Sequence, residues 1–199
     1  MTDTTRTEAG EVDLVGDETV RNLARAATFA ALMGAFAYVS FPNPLAPGVP
    51  VTLQVLGVFL AGILLGPVWG CVAMVFYLLA GGLGVPVFAG GTAGPGVLLA
   101  SPTLGYLWSY PVAAGLIGLV VHRGATLRDH REAGLPTLVG AMVLGTVVIY
   151  ALGTVGFAFV QDVSLYRAFL VSAVAFVPFE AVKIAAAVGI VRSDALAAA

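Results

Sequence analysis

The sequence predicts an all-α membrane protein of six transmembrane helices, with Gly/Pro-rich outer loops capping a ligand pocket and both termini cytosolic. Composition is the first observation behind this reading. Hydrophobic residues make up 59% of the 199 positions and Asp, Glu, Lys and Arg together only 10%, against roughly 25% charged in a soluble domain. Mean hydropathy is +0.99. The second observation is a gap in charge: none of those four residue types occurs between Arg25 and Arg123, and a soluble fold could not leave so much surface uncharged. The third is the placement of the arginines, which settles the parity of the spans.

Residues 1–21 form an acidic stretch with Asp3, Glu8, Glu11, Asp13, Asp17 and Glu18, expected to be a disordered, solvated cytosolic tail. Its acidity lacks the basic start of a signal peptide, so the first apolar run is expected to remain as a span. Residues 22–192 are read as the membrane domain and 193–199 as a C-terminal tail. Apolar runs place spans near 25–41, 51–65, 67–81, 102–122, 136–160 and 168–191. The second and third are short, about 22 Å each at a rise of ~1.5 Å per residue, and Gly66-Pro67 divides them. With that division Arg6, Arg21, Arg25, Arg123, Arg128, Arg131 and Arg192 fall on one side and only Arg167 on the other. Positive charge marks the cytosolic side.

Span one repeats small residues every fourth position: Ala27, Ala31 and Ala35, and also Ala26, Ala30 and Gly34. Such a stripe lets another helix approach closely, within the chain or from a partner. The connections before spans two and four, FPNPLAPGVP (Phe41–Pro50) and GGLGVPVFAGGTAGPGVLLASP (Gly81–Pro102), are rich in Pro and Gly and free of charge. They fit irregular backbone folded against the protein to cap a cavity, or an apolar loop at the headgroup boundary.

Several chemistries are missing. There is no GxxxxGK(S/T) loop, no HExxH, no CxxC and no Ser-His-Asp set, so no enzyme, metal or cofactor role is expected. The few, scattered basic residues leave no nucleic-acid footprint. Cys71 stands alone in an apolar run and reads as a small buried residue; His122 and His130 flank the basic loop and are expected to be solvated.

Within the spans the only carboxylate and the only ammonium are Glu180 and Lys183. At mid-membrane each charge costs roughly 2.5–3.5 kcal/mol. Three residues apart, they share a helix face with Phe176, and Pro178 is expected to bend the helix beside them. Either the pair only holds the bundle together, or it presents a strong acceptor and a strong donor to a ligand. Gln54, Tyr106 and Trp108, with Thr52, Thr103, Tyr77, Tyr110 and Tyr150, add polar groups that could line an otherwise apolar pocket.

Four segments, PVTLQVLGVFLAG (Pro50–Gly62), GVPVFAGG (Gly84–Gly91), SPTLGY (Ser101–Tyr106) and PFEAVK (Pro178–Lys183), resemble the BioY family in order and spacing. These are the biotin-binding S components of energy-coupling factor (ECF) transporters, and the resemblance covers about residues 22–192. It implies a six-helix subunit that binds biotin near the outer face. A membrane coupling (T) subunit and two cytosolic ATPase subunits are then the implied partners, with surrounding lipid. It assigns Glu180 and Lys183 to the ureido ring, since the family's last helix typically carries Asp-x-x-Lys there; here Glu stands for Asp. Gln54, Phe88, Tyr106, Trp108 and Phe176 are expected around the ligand, with backbone N–H groups of Gly90 and Gly91 near its carboxylate. The stripe of Ala27, Ala31 and Ala35 is expected to dock the coupling subunit. An S component for another vitamin, a proton-coupled carrier using Glu180 and a plain membrane anchor remain the rival readings.

Overall fold

The computed structural model describes residues 16–43 and 49–193. The acidic stretch up to residue 15, part of the first Pro-rich connection and the last six residues of the C-terminal tail lie outside the described residues.

Helix α1, Asp17–Tyr38, begins inside the stretch expected to be tail. Asp17 and Glu18 occupy its first turn, where carboxylates complement the helix dipole. A two-residue strand β1 (Ser40–Phe41) then pairs antiparallel with β2 (Val51–Thr52), Ser40 opposite Thr52. Helix α2, Gln54–Gly82, leaves helical geometry at Gly66 (φ 75°, ψ −176°). The break is a reversal. Gln54 Nε2 donates to the Tyr77 hydroxyl at 2.6 Å, whereas a straight helix would hold the two about 35 Å apart. A Cβ added to Gly70 would lie 2.9 Å from the Ala61 carbonyl oxygen, so the two legs touch almost from the turn. Gly66 takes a positive φ that disfavours any side chain.

After α2 come a 3-10 turn (Ala89–Gly91), α3 (Pro95–Ala100) and α4 (Leu104–Val121). A short turn at His130–Glu132 precedes α5 (Leu135–Gln161). Then follow α6 (Leu165–Ser172), a turn at Val174–Phe176 and α7 (Val177–Val191). Among the described residues, four helical stretches are long and apolar enough to cross a membrane: Gln54–Gly82, Leu104–Val121, Leu135–Gln161 and Leu165–Val191. The charged first half of α1 explains why that helix falls short of the same standard.

The last stretch departs from expectation. It starts at Leu165 and breaks at Ala173 (φ −123°, ψ −60°), not at Pro178. The Ser172 carbonyl is taken by the Tyr106 hydroxyl, which draws it out of the helical ladder. Pro178 falls in the first turn of α7, where a missing N–H costs nothing.

Glycine contacts set the packing. Helix α4 lies between α2 and α5: a Cβ on Gly62 would meet the Ala114 carbonyl at 2.6 Å, Gly118 faces Gly66 and Pro67, and Gly105 faces Leu152 and Gly153. Helix α1 lies on the first leg of α2, with Met33 and Phe36 against Gly57. Ala26 and Gly34 point inward while Ala27, Ala31 and Ala35 are exposed.

His122 corrects the sequence reading: it is buried, 1% exposed. Pro67 has no N–H to give the carbonyl four residues back, that of Ile63, and His122 Nε2 lies 3.0 Å from that oxygen. Nδ1 accepts from the Arg128 N–H at 3.0 Å, so Nε2 carries the proton and donates. The imidazole thereby ties the tip of the α2 hairpin to the end of α4.

Candidate functional site

Glu180 stands in the first turn of α7, where the helix dipole favours a carboxylate. Its Oε1 accepts from Lys183 Nζ at 2.6 Å and from the Tyr150 hydroxyl of α5 at 2.7 Å. Both charged side chains are buried, 3% and 5% exposed. The second oxygen, Oε2, is buried without a hydrogen-bond partner among the described residues. An acceptor left unmade in such a place costs about 1–3 kcal/mol or more, a debt that a ligand N–H would remove. Tyr150 is held by aromatic contacts, edge-on to Tyr106 at 5.6 Å and tilted against Phe176 at 5.7 Å.

Lys183, Tyr150, Phe176 and Tyr106 face a cavity closed on the other side by Gln54, Thr52 and Phe88. The cavity is partly open to solvent. Only about 30 Å³ is open to the centre of a water molecule, so admitting a ligand requires side chains or the covering segment to move. Glu180 itself lines a second, more apolar opening of about 540 Å³ between α5 and the α6–α7 stretch, with Val147, Ala151 and Val177. Lys183 thus borders one space, Glu180 the other, and Tyr150 both.

The opposite wall is a chain of hydrogen bonds. Just before α2, Thr52 Oγ1 accepts from the Gln54 N–H and donates to Gln54 Oε1 at 2.9 Å. Gln54 Nε2 donates to Tyr77, and the Tyr77 hydroxyl donates to the Val87 carbonyl at 3.0 Å. Val87 belongs to the covering segment 85–92. The Phe88 ring folds under it, 1% exposed, edge-on to Tyr77 at 5.5 Å and filling the space over Gly81. Tyr38 at the end of α1 donates to the Pro86 carbonyl of the same segment at 2.7 Å.

Of the residues expected around a ligand, Gln54, Phe88, Tyr106, Phe176 and Lys183 line the cavity, and Glu180 touches two residues that do. Gly90 and Gly91 do not line it. Their positive φ angles, 69° and 76°, shape the turn that carries Phe88 inward. Trp108 does not line the cavity either: it is 51% exposed, with Nε1 donating to the Leu98 carbonyl at 2.9 Å. Tyr106 and Tyr110 are four apart and face inward together, so the residue midway between them faces out. Tyr150, Tyr110 and Thr103 also line the cavity; polar type and span position had drawn attention to them without picking them out.

Apolar helices long enough to cross a membrane, packed around a cavity beside a buried ion pair, are the architecture of a multi-pass membrane protein. The chain belongs to the BioY family, whose sequence profile matches residues 5–198. It is 37% identical over 173 residues to the biotin transporter BioY of Rhodobacter capsulatus, covering 82% of this chain and 87% of that one. It is also 37% identical to the biotin transporter BioY of Thermotoga maritima, over 84% of this chain and 92% of the relative. The fold matches a crystal structure of the S-component for biotin from an ECF-type ABC transporter. That match has a TM-score of 0.79 and 25% identity, over 90% of this chain and 93% of that chain.

Proposed function

We propose that this protein captures biotin and delivers it across the cell membrane as the substrate-binding subunit of an ATP-driven energy-coupling factor transporter. The observation that carries the reading is the buried Glu180–Lys183 pair beside the cavity, with Glu180 Oε2 left open. A ureido ring offers two N–H donors and one strongly accepting carbonyl. The carboxylate serves the former and the Lys183 ammonium the latter or the valerate tail. Phe88, Tyr106 and Phe176 supply apolar cover for the bicycle.

ATP hydrolysis falls to two cytosolic subunits acting through a membrane coupling subunit, which docks on the exposed face of Ala27, Ala31 and Ala35. We read the legs 54–65 and 67–82 as separate crossings. With α1, α4, α5 and the α6–α7 stretch they make six and leave both termini cytosolic, an arrangement favoured by the arginine distribution. The test is binding of radiolabelled biotin to the purified protein in detergent, with thiamine and riboflavin as competitors. Saturable binding that only unlabelled biotin displaces is expected. Absence of binding, or displacement by another vitamin, overturns the assignment.

A further inference from the structure

The hydrogen bonds from Thr52 to Val87 have a sense as well as an order, and the covering segment fixes it. A backbone carbonyl only accepts, so the Tyr77 hydroxyl spends its single proton on Val87. Its oxygen is then available to Gln54 only as an acceptor, which turns the Gln54 amide so that Nε2 meets Tyr77 at 2.6 Å. Gln54 Oε1 consequently faces Thr52 Oγ1, which donates. Gln54 lines the cavity and is 3% exposed, so its amide orientation is set mainly by its protein partners. Tyr77 is fully buried and does not itself line that cavity.

We propose that Tyr77 is a positioning residue: it reads whether the covering segment is closed and sets which end of the Gln54 amide the ligand meets. With Val87 in place, the remaining Nε2 proton and the remaining Oε1 lone pair have fixed directions. When the segment lifts, the Val87 carbonyl leaves, the Tyr77 proton is free to go to Gln54 Oε1, and the amide can turn over. Donor and acceptor then exchange places at the cavity wall, and a ligand matched to the closed arrangement is released. Two further contacts hold the segment closed beside Tyr77. The Phe88 ring packs against it from the same segment, and Tyr38 holds the adjacent Pro86 carbonyl. This inference rests on the proposal that biotin occupies the cavity beside Gln54.

The experiment measures biotin binding and dissociation for Tyr77→Phe, Gln54→Ala and the double variant, as purified full-length proteins. Tyr77→Phe keeps the ring and removes the hydroxyl with both of its hydrogen bonds. It is expected to weaken biotin binding about tenfold, mostly through faster dissociation, and to lower the unfolding temperature, so the double variant and not stability decides the role. In the Gln54→Ala background the same change is expected to cost about twofold or less, since the group through which Tyr77 acts is gone. An equal cost in both backgrounds overturns the positioning role and leaves Tyr77 as packing. Wild-type binding by Tyr77→Phe overturns it too. Wild-type binding by Gln54→Ala overturns instead the placement of biotin against Gln54, on which the inference rests.

Discussion

Replacing Glu180 by Gln keeps the volume and an acceptor for Tyr150 but removes the charge opposite Lys183. At the observed 2.6 Å separation, the pair's gross attraction is about 6 kcal/mol for an effective dielectric of about 20. Burial of both ions has already consumed several kcal/mol each. Leaving one of them alone is therefore expected to destabilise the fold by about 3–5 kcal/mol. Binding loses a separate quantity, the difference between a charged and a neutral acceptor for a ligand N–H. Hydrogen bonds to charged groups contribute about 1.5–3 kcal/mol, so biotin affinity should fall about 10- to 150-fold. The two losses separate in the double variant Glu180→Gln, Lys183→Met. With no uncompensated ion it should recover much of the thermal stability of the native protein, yet bind biotin no better than the single variant. Thermal unfolding and calorimetric titration with biotin on purified protein read the two quantities. Native affinity in either Glu180→Gln or the double variant would refute the assignment of the pair to the ligand and leave it a structural ion pair.

Ala31→Leu on the exposed face of α1 should leave biotin binding intact and block uptake in cells that supply the partner subunits; normal uptake argues against that docking face. His122→Ala removes two buried hydrogen bonds and should destabilise the fold by about 2–3 kcal/mol, read by thermal unfolding, without changing biotin affinity. Trp108→Phe should change biotin affinity by about twofold or less, because the ring faces away from the cavity; a large loss in titration would return Trp108 to the site.

The sequence made some of these features readable and hid others, for identifiable reasons. Gly66-Pro67 announced the reversal in α2 because both residues act on the backbone locally, one by allowing a positive φ and the other by lacking an N–H. Glu180 and Lys183 stood out because a charge in an apolar run is costly wherever the helix is placed. Trp108 lies outside the cavity lining, as helical spacing alone, two residues from both Tyr106 and Tyr110, assigns it to the opposite face. His122 is different. Pro67 marks the Ile63 carbonyl as lacking its usual donor, but nothing local says that a histidine 59 residues away supplies one. The break at Ala173 is similarly distant in origin, since it follows from Tyr106 claiming the Ser172 carbonyl.

The reversal at Gly66 also bears on how the chain enters a bilayer. Residues 54–65 measure about 18 Å and residues 67–82 about 24 Å along their axes, each less than the roughly 30 Å of hydrocarbon a lone span must cover. Neither leg presents the length by which an isolated span is recognised, and together they run past it without a single charge to mark the bend. Insertion of this region is thus expected as one two-legged unit, its tip held shallow until α4 arrives with His122 to claim the carbonyl that Pro67 cannot serve. The order of synthesis leaves that carbonyl waiting through the second leg, the connection after it and the length of α4.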